Sequence, residues 1–207
     1  MHQERFRERI RERFRERILL RCNVSGLTLI ELLLTLGIAS IVTTLALPSM
    51  INLVRDNRST AAINSMIGQV QYLRSTAITA RRTVTLCPGR PPHCGKRDSW
   101  HTGSFVFIDY NKNGQRDSAD QILRAFGPAA RLGEFTWRSF RNRNSLSING
   151  TGLTNWQNGS FRYCPSNGDE RFAHQAILNA QARVRYARDR DGDGIREDAQ
   201  GRPISCR

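Results

Sequence analysis

Residues 26–50 read GLTLIELLLTLGIASIVTTLALPSM, and this stretch decides the architecture. A basic segment ends at Gly26, and an apolar run of 21 residues follows from Leu27 to Leu47, with Glu31 as its only charge. Wound as a helix, the run is about 30 Å long, the thickness of a bilayer's hydrocarbon core. A carboxylate inside such a span costs about 3 kcal/mol and therefore needs a partner. No A-x-A-type site follows the run, and the run is long for the core of a cleaved secretory signal.

The chain has 207 residues, of which 39% are hydrophobic, and a net charge of +14. Setting aside a leader and a membrane helix leaves about 150 residues, enough for one core. The first 26 residues hold eight Arg and four Glu, so the rest of the chain keeps +10. The leader repeats FRERIRERFRERI, placing Phe6, Ile10, Phe14 and Ile18 four apart. Its basic character suits a flank that orients the span with its positive end in the cytoplasm.

Beyond the span, Pro48 should kink the helix. Ile63, Met66, Val70, Leu73 and Ala77 then form one apolar stripe at spacings of three and four, with Arg55, Asp56, Arg58, Gln69 and Arg74 off it. After Arg82 the texture changes to eight short strand-like runs: TVTLCP, SFVFIDY, QILRAF, EFTWRSF, SLSING, GSFRYC, AILNA and ARVRYA. Gly, Asn, Asp or Pro bound each of them. One long helix followed by short strands predicts an α+β architecture, the amphipathic half of the helix lying on an antiparallel sheet.

Gly26, the hydrophobic residue after it, Thr28, Glu31 and Pro48 resemble the class III signal of type IV pilins and type II secretion pseudopilins. The later order narrows the match. TLCP, then Trp100, Gly103, Phe105 to Asp109, Asn111, Asn113, Gly114, Arg116 and Asp117, then Ile122 to Arg124, F-x-YC and a late R-V-R resemble the FimT/GspH-like minor pilins and pseudopilins. The resemblance implies a pilin-like fold and three segments. Residues 1–26 form a leader that a prepilin peptidase removes after Gly26. Residues 27–53 form a transmembrane assembly helix, and 54–207 a periplasmic globular domain. Leu27 becomes the N-methylated terminus, where most of the family has Phe. Glu31 then pairs with the N-terminal ammonium of a neighbouring pilin subunit in the filament. The implied location is the inner membrane, single-pass, and later the pilus fibre at the cell surface. The leader is longer than those of the pilins it resembles, which leaves the true start codon open.

Cys22 falls in the leader, and Cys87, Cys94, Cys164 and Cys206 remain. Four cysteines in an exported domain read as two disulfides, with three possible pairings. Cys87–Cys94, closing the loop CPGRPPHC, and Cys164–Cys206, fastening the C-terminal tail, are the favoured pair. A zinc site using His93 lacks a C-x-x-C or matched His spacing.

Arg183, Arg185, Arg188 and Arg190 lie within eight residues, and Arg183 and Arg185 share a face if the segment is a strand. Arg162 and Arg171 add to them, and Arg131, Arg138, Arg141 and Arg143 form a second cluster. Such groups bind phosphates regardless of base sequence, and Tyr186 offers a stacking surface. Some FimT-like minor pilins bind DNA during natural transformation through a G-R-x-R element near the C-terminus; the matching residues here are Ala182, Arg183, Val184 and Arg185. The resemblance thus implies DNA as a partner, for uptake. Two alternatives stand beside it: a pseudopilin with a structural role in type II secretion, and a priming subunit that starts pilus assembly without binding DNA.

Two acidic loops have the oxygen spacing of a calcium loop. The first, Asp109 to Asp120, reads as a turn rich in Asp, Asn and Gly. The second carries denser carboxylates, and Asp189, Asp191, Asp193, Glu197 and Asp198 are candidate calcium ligands. No other cofactor is indicated. G-x-S-x-G and H-E-x-x-H are absent, Gly89 to Lys96 departs from P-loop spacing, and His93, His101 and His174 form no cluster. The sequence reads as a non-enzymatic protein without a small-molecule substrate.

Overall fold

The long helix α1, Leu29–Ala80, opens the computed structural model, which describes residues 26–128 and 133–206. The leader before Gly26, with Cys22, lies outside the described residues, as does Arg131. The chain divides into two compact units, Met1–Ser49 and Met50–Arg207.

In the first unit, the described part of α1 is long and apolar enough to cross a membrane, and none of its side chains is buried. Its hydroxyls bond back to the helix. Thr35 donates to the Leu32 carbonyl at 2.9 Å, Ser40 to Gly37 at 2.7 Å and Thr44 to Ile41 at 2.8 Å. Every polar side chain so satisfied is one that lipid need not solvate.

In the second unit, the rest of α1 lies on strands, and the stripe at i, i+3, i+4 and i+7 meets them. Ile63, Met66, Val70, Leu73 and Ala77 are completely buried. They share one cluster with Leu86, Val106, Trp137, Leu146 and Phe161. Each Ile, Met, Val, Leu or Phe among them contributes about 1.5–3 kcal/mol through burial. Trp137 stacks on Phe161 at 4.3 Å between centroids, and Trp100 meets the same ring edge-on at 4.9 Å. Buried side chains among the described residues run only from Ser59 to Ile204, so the unit from Met50 onward contains its own core.

Eight strands form where the short apolar runs predict them: β1 Val84–Pro88, β2 Ser104–Ile108, β3 Gln121–Phe126, β4 Gly133–Ser139, β5 Leu146–Ile148, β6 Gly159–Pro165, β7 His174–Leu178 and β8 Val184–Tyr186. They make two four-stranded antiparallel sheets, ordered β3-β2-β1-β5 and β4-β6-β7-β8, rather than one. Period-2 alternation marks each strand but carries no record of its partner, and β4 leaves the first sheet before β5 returns to it.

Gln69 departs from its expected place off the stripe. It is buried, and its Oε1 accepts a hydrogen bond from the Ser104 hydroxyl of β2. The stripe is wide enough to include it because the partner removes the cost of burying an amide. The cysteines pair as Cys87–Cys94 and Cys164–Cys206, with Cα atoms 5.5 and 5.6 Å apart.

Candidate functional site

The helix begins at Leu29, three residues beyond Gly26. Thr28 caps it: its Oγ1 accepts the Glu31 N–H at 3.3 Å, and its carbonyl accepts the Leu32 N–H. Glu31 thus occupies the third helical position, where a carboxylate suits the positive helix end. Leu27 and Glu31 are both exposed.

At the other end of the chain, β7 and β8 form a hairpin around residues 179–182. Asn179 organises the turn, its Oδ1 accepting from the N–H groups of Gln181 at 3.0 Å and Arg183 at 2.9 Å. Ala182 sits at φ 54°, in the left-handed region that glycine adopts most easily, and is buried. The turn that the G-R-x-R element would supply is therefore made with alanine. Val184 packs on the core, and the Tyr186 hydroxyl donates to Asn64 Oδ1 of α1 at 2.7 Å. Alternation within β8 then turns Arg185 to the other face, while Arg183, just before the strand, borders a groove lined by Gln71, Arg74 and Ile78 of α1. Tyr186, tied to the helix, is on the wrong side to stack beside Arg185.

Arg183, Arg185, Arg188 and Arg190 are all exposed, and among the described residues none has a carboxylate within ion-pair distance. The neighbouring arginines differ. Arg171 grips Asp169 through Nε at 3.0 Å and Nη2 at 2.8 Å, and Arg202 grips Asp198. Arg196 reaches Asp56 of α1 at 3.2 Å and the Arg171 carbonyl at 3.1 Å. Arg162 is half-buried on β6 and donates to the Ser205 carbonyl, holding the tail against the sheet. Burial, and then the charge of Arg138, press its pKa down, with Glu170 opposing. Of the sequence-derived basic residues, the structure thus separates Arg162 and Arg171, which are engaged, from the four that are free.

Asp56 also faces His174 Nε2 at 3.4 Å. The imidazole is largely buried, and burial, followed by Arg196, holds its pKa below the ordinary 6.5 despite Asp56.

The two acidic loops resolve differently. In the first, Asp109 is buried and accepts from Thr85 Oγ1 at 3.0 Å, Gly114 N–H at 2.9 Å and Asn113 N–H at 3.2 Å. Asp120 accepts from the N–H groups of Tyr110 and Asp117. These carboxylates are consumed in building a turn. In the second, Asp189, Asp191, Asp193 and Glu197 place oxygens within 4.8 Å of one another. That spread fits oxygens ligating one ion at about 2.3–2.6 Å. Gly192 and Gly194 take φ of 79° and 88°, and their N–H groups bond to Asp189. Asp198 does not belong to this group. Burial raises its pKa, but N–H groups of Arg202 and Gln200 and the Arg202 guanidinium outweigh that and hold it below the usual carboxylate range. Its partner is Arg202, and Glu197 takes the ninth position of the loop instead.

The sequence model of the family described as Type II transport protein GspH matches residues 62–189. The chain belongs to the GspH family. The resemblance to FimT/GspH-like pilins therefore holds at the level of the family. The match takes in Arg183, Arg185 and Arg188 and ends at the first carboxylate of the acidic cluster. No curated protein matches the sequence. Two crystal structures of the type IV minor pilin FimU from Pseudomonas aeruginosa PAO1 are similar at 18% identity. One covers 74% of this chain and 97% of that chain with a TM-score of 0.49. The other covers 72% and 98% with a TM-score of 0.46.

Within the GspH match, the motif from Trp100 to Arg124 serves packing. Trp100 is buried, and a side chain at Gly103, whose φ is 131°, would meet the Phe126 carbonyl at 2.9 Å. Reading by sequence gave Arg196 no role and placed Arg138 only in a second basic cluster. Arg196 joins the acidic loop to α1, which only a contact between positions 140 residues apart reveals. Arg138 faces the same side of the second sheet as Arg185. Its parity was readable from Phe135 and Trp137, which point inward, but its strand's partner was not.

Proposed function

We propose that the chain is a minor pilin of a type IV pilus that binds DNA without sequence preference during uptake. The exposure of Arg183, Arg185, Arg188 and Arg190, unpaired while their neighbours hold carboxylates, supports this reading. Guanidinium groups not committed to protein carboxylates keep their capacity for phosphate. In this reading a prepilin peptidase cuts after Gly26, Leu27 becomes the methylated terminus, and residues 27–53 hold the chain in the inner membrane. The domain of residues 54–207 stays in the periplasm until assembly with other pilin subunits, close to the tip. Glu31 pairs with a neighbour's terminal ammonium where lipid makes a lone charge costly. The protein works by binding and assembly, without catalysis. Asp189, Asp191, Asp193 and Glu197 would take calcium, whose preference for hard oxygen ligands their donor set meets.

The test is binding of duplex DNA to residues 50–207 across a salt series, beside Arg183→Gln/Arg185→Gln/Arg188→Gln. Loss of three phosphate contacts lowers the salt slope by about 2.7. A variant that binds as well as its parent, or a parent that fails to bind at low salt, overturns the DNA reading. The GspH family description supports a second reading, a pseudopilin in type II secretion. There, and in a priming subunit, the arginines are dispensable while Glu31 is not.

A further inference from the structure

The outer face of the second sheet brings the two basic clusters together. Register pairs Arg138 with Ser160, Ser160 with Ile177, and Ile177 with Arg185, so these four residues lie on one rung across all four strands. Neighbouring strands are about 4.8 Å apart, which sets the two arginines roughly 14 Å from each other. Between the β4 end of this rung and the C-terminal tail is an open cleft of about 710 Å³. Arg138, Phe140, Ser160 and Arg162 line it, together with Arg202 and Ser205 of the tail.

The cleft is built rather than incidental. The disulfide Cys164–Cys206 and the bond from Arg162 to Ser205 fix the tail as its wall. On the opposite wall, Phe140 is 61% exposed although it is among the largest apolar side chains of the unit. Its N–H is pinned to the Asn158 carbonyl at 2.9 Å. The next two residues, Arg141 and Asn142, both take left-handed φ, 68° and 54°. The Asn142 carbonyl accepts from Arg97 Nη2 at 2.7 Å. A left-handed turn and a held loop keep an aromatic ring in solvent in the cleft that Arg138 also lines. Backbone of this kind persists where the surroundings determine it, and it marks functional positions. Among the described residues Arg138 is exposed and makes no ion pair; Arg162 behind it adds positive charge that Glu170 offsets in part, and Asp198, which also lines the cleft, is paired with Arg202.

We propose that this cleft is a nucleotide subsite for single-stranded DNA, in which Arg138 holds a phosphodiester and Phe140 stacks on a base. From there the strand crosses the sheet along the rung to Arg185. The proposal rests on the DNA-binding reading and adds to it a direction and a preference for an unpaired strand, since a duplex offers no free base to Phe140. An arginine for the backbone beside a flat ring for a base is the combination that sequence-tolerant single-strand binders use.

The experiment compares oligo-dT with a duplex of equal length, by fluorescence anisotropy on disulfide-bonded residues 50–207. Phe140→Ala should weaken oligo-dT about tenfold and leave the duplex unchanged; Phe140→Tyr should restore it. Arg138→Gln should lower the single-strand salt slope by about 0.7. Both side chains are exposed, so the fold survives either change. Equal loss on both oligonucleotides, no loss with Phe140→Ala, or an unchanged slope with Arg138→Gln overturns the subsite. If Arg183→Gln/Arg185→Gln abolishes binding while Phe140→Ala does not matter, the subsite alone fails. If the parent binds neither oligonucleotide, the DNA reading fails with it.

Discussion

Replacing Cys164 and Cys206 with alanine should cost about 4 kcal/mol and open the tail. The bond spans a sequence separation of 42. Loop closure over that length removes about 13 cal/mol/K from the unfolded chain, or about 4 kcal/mol at 25 °C. The same relation gives about 2.4 kcal/mol for Cys87–Cys94, whose separation is 7. The consequences of the longer bridge are also local. Cys164 and Cys206 pack on a small cluster of Ala173, Ala187 and Ile204, apart from the main core. The Ile204 N–H donates to the Arg196 carbonyl at 2.9 Å, and the Cys206 N–H to Glu170 Oε1 at 3.1 Å. With the covalent tie gone, these amides should exchange far faster than those of β6 and β7. The assay is urea unfolding of residues 50–207 with amide exchange alongside. A stability loss under about 1 kcal/mol, or unchanged protection at Ile204, would refute the argument that the bridge holds the tail down.

Gln69→Leu should cost about 1–3 kcal/mol by leaving the Ser104 hydroxyl unpaired in the core, and Gln69→Leu/Ser104→Ala should recover most of it, which denaturant titration can measure. His174 has a folded pKa below the ordinary 6.5, so the unfolded chain binds its proton first. Its contribution is complete above pH 6.5 and is lost as pH falls toward the folded value; His174→Gln should flatten that slope in stability measured from pH 7 to 5. If Asp189, Asp191, Asp193 and Glu197 take calcium, adding it should raise the melting temperature of the parent and not of Asp191→Asn/Asp193→Asn.

Helical periodicity is a local property, and so Ile63, Met66, Val70, Leu73 and Ala77 declared their buried face in advance. The strands were legible one at a time for the same reason. Their assembly was not: β1 pairs with β5 through Thr85 and Ser147, and only long-range register decides which runs share a sheet. At the site, the exposed arginines in and around β8 could be seen in a run of four. Which arginines were already engaged depended on Asp56, Asp169 and Asp198, partners that spacing does not announce. Ala182 shows the limit from the other side, because the residue is atypical for the left-handed turn while Asn179 and Arg183 complete that turn around it. The distinction between Glu197 and Asp198 turned on one step along the loop and on where Arg202 lies.

β8 is three residues long and ends its sheet, and among the described residues no strand pairs with its second edge. An open edge is a template on which any extended chain can add a strand, and proteins that live at high local concentration must blunt it. Here shortness and the charges of Arg183 and Arg185 do so together. The residues proposed to hold DNA are thus also ones that repel a second copy of the same edge, so neutralising them removes a guard against aggregation along with the positive charge.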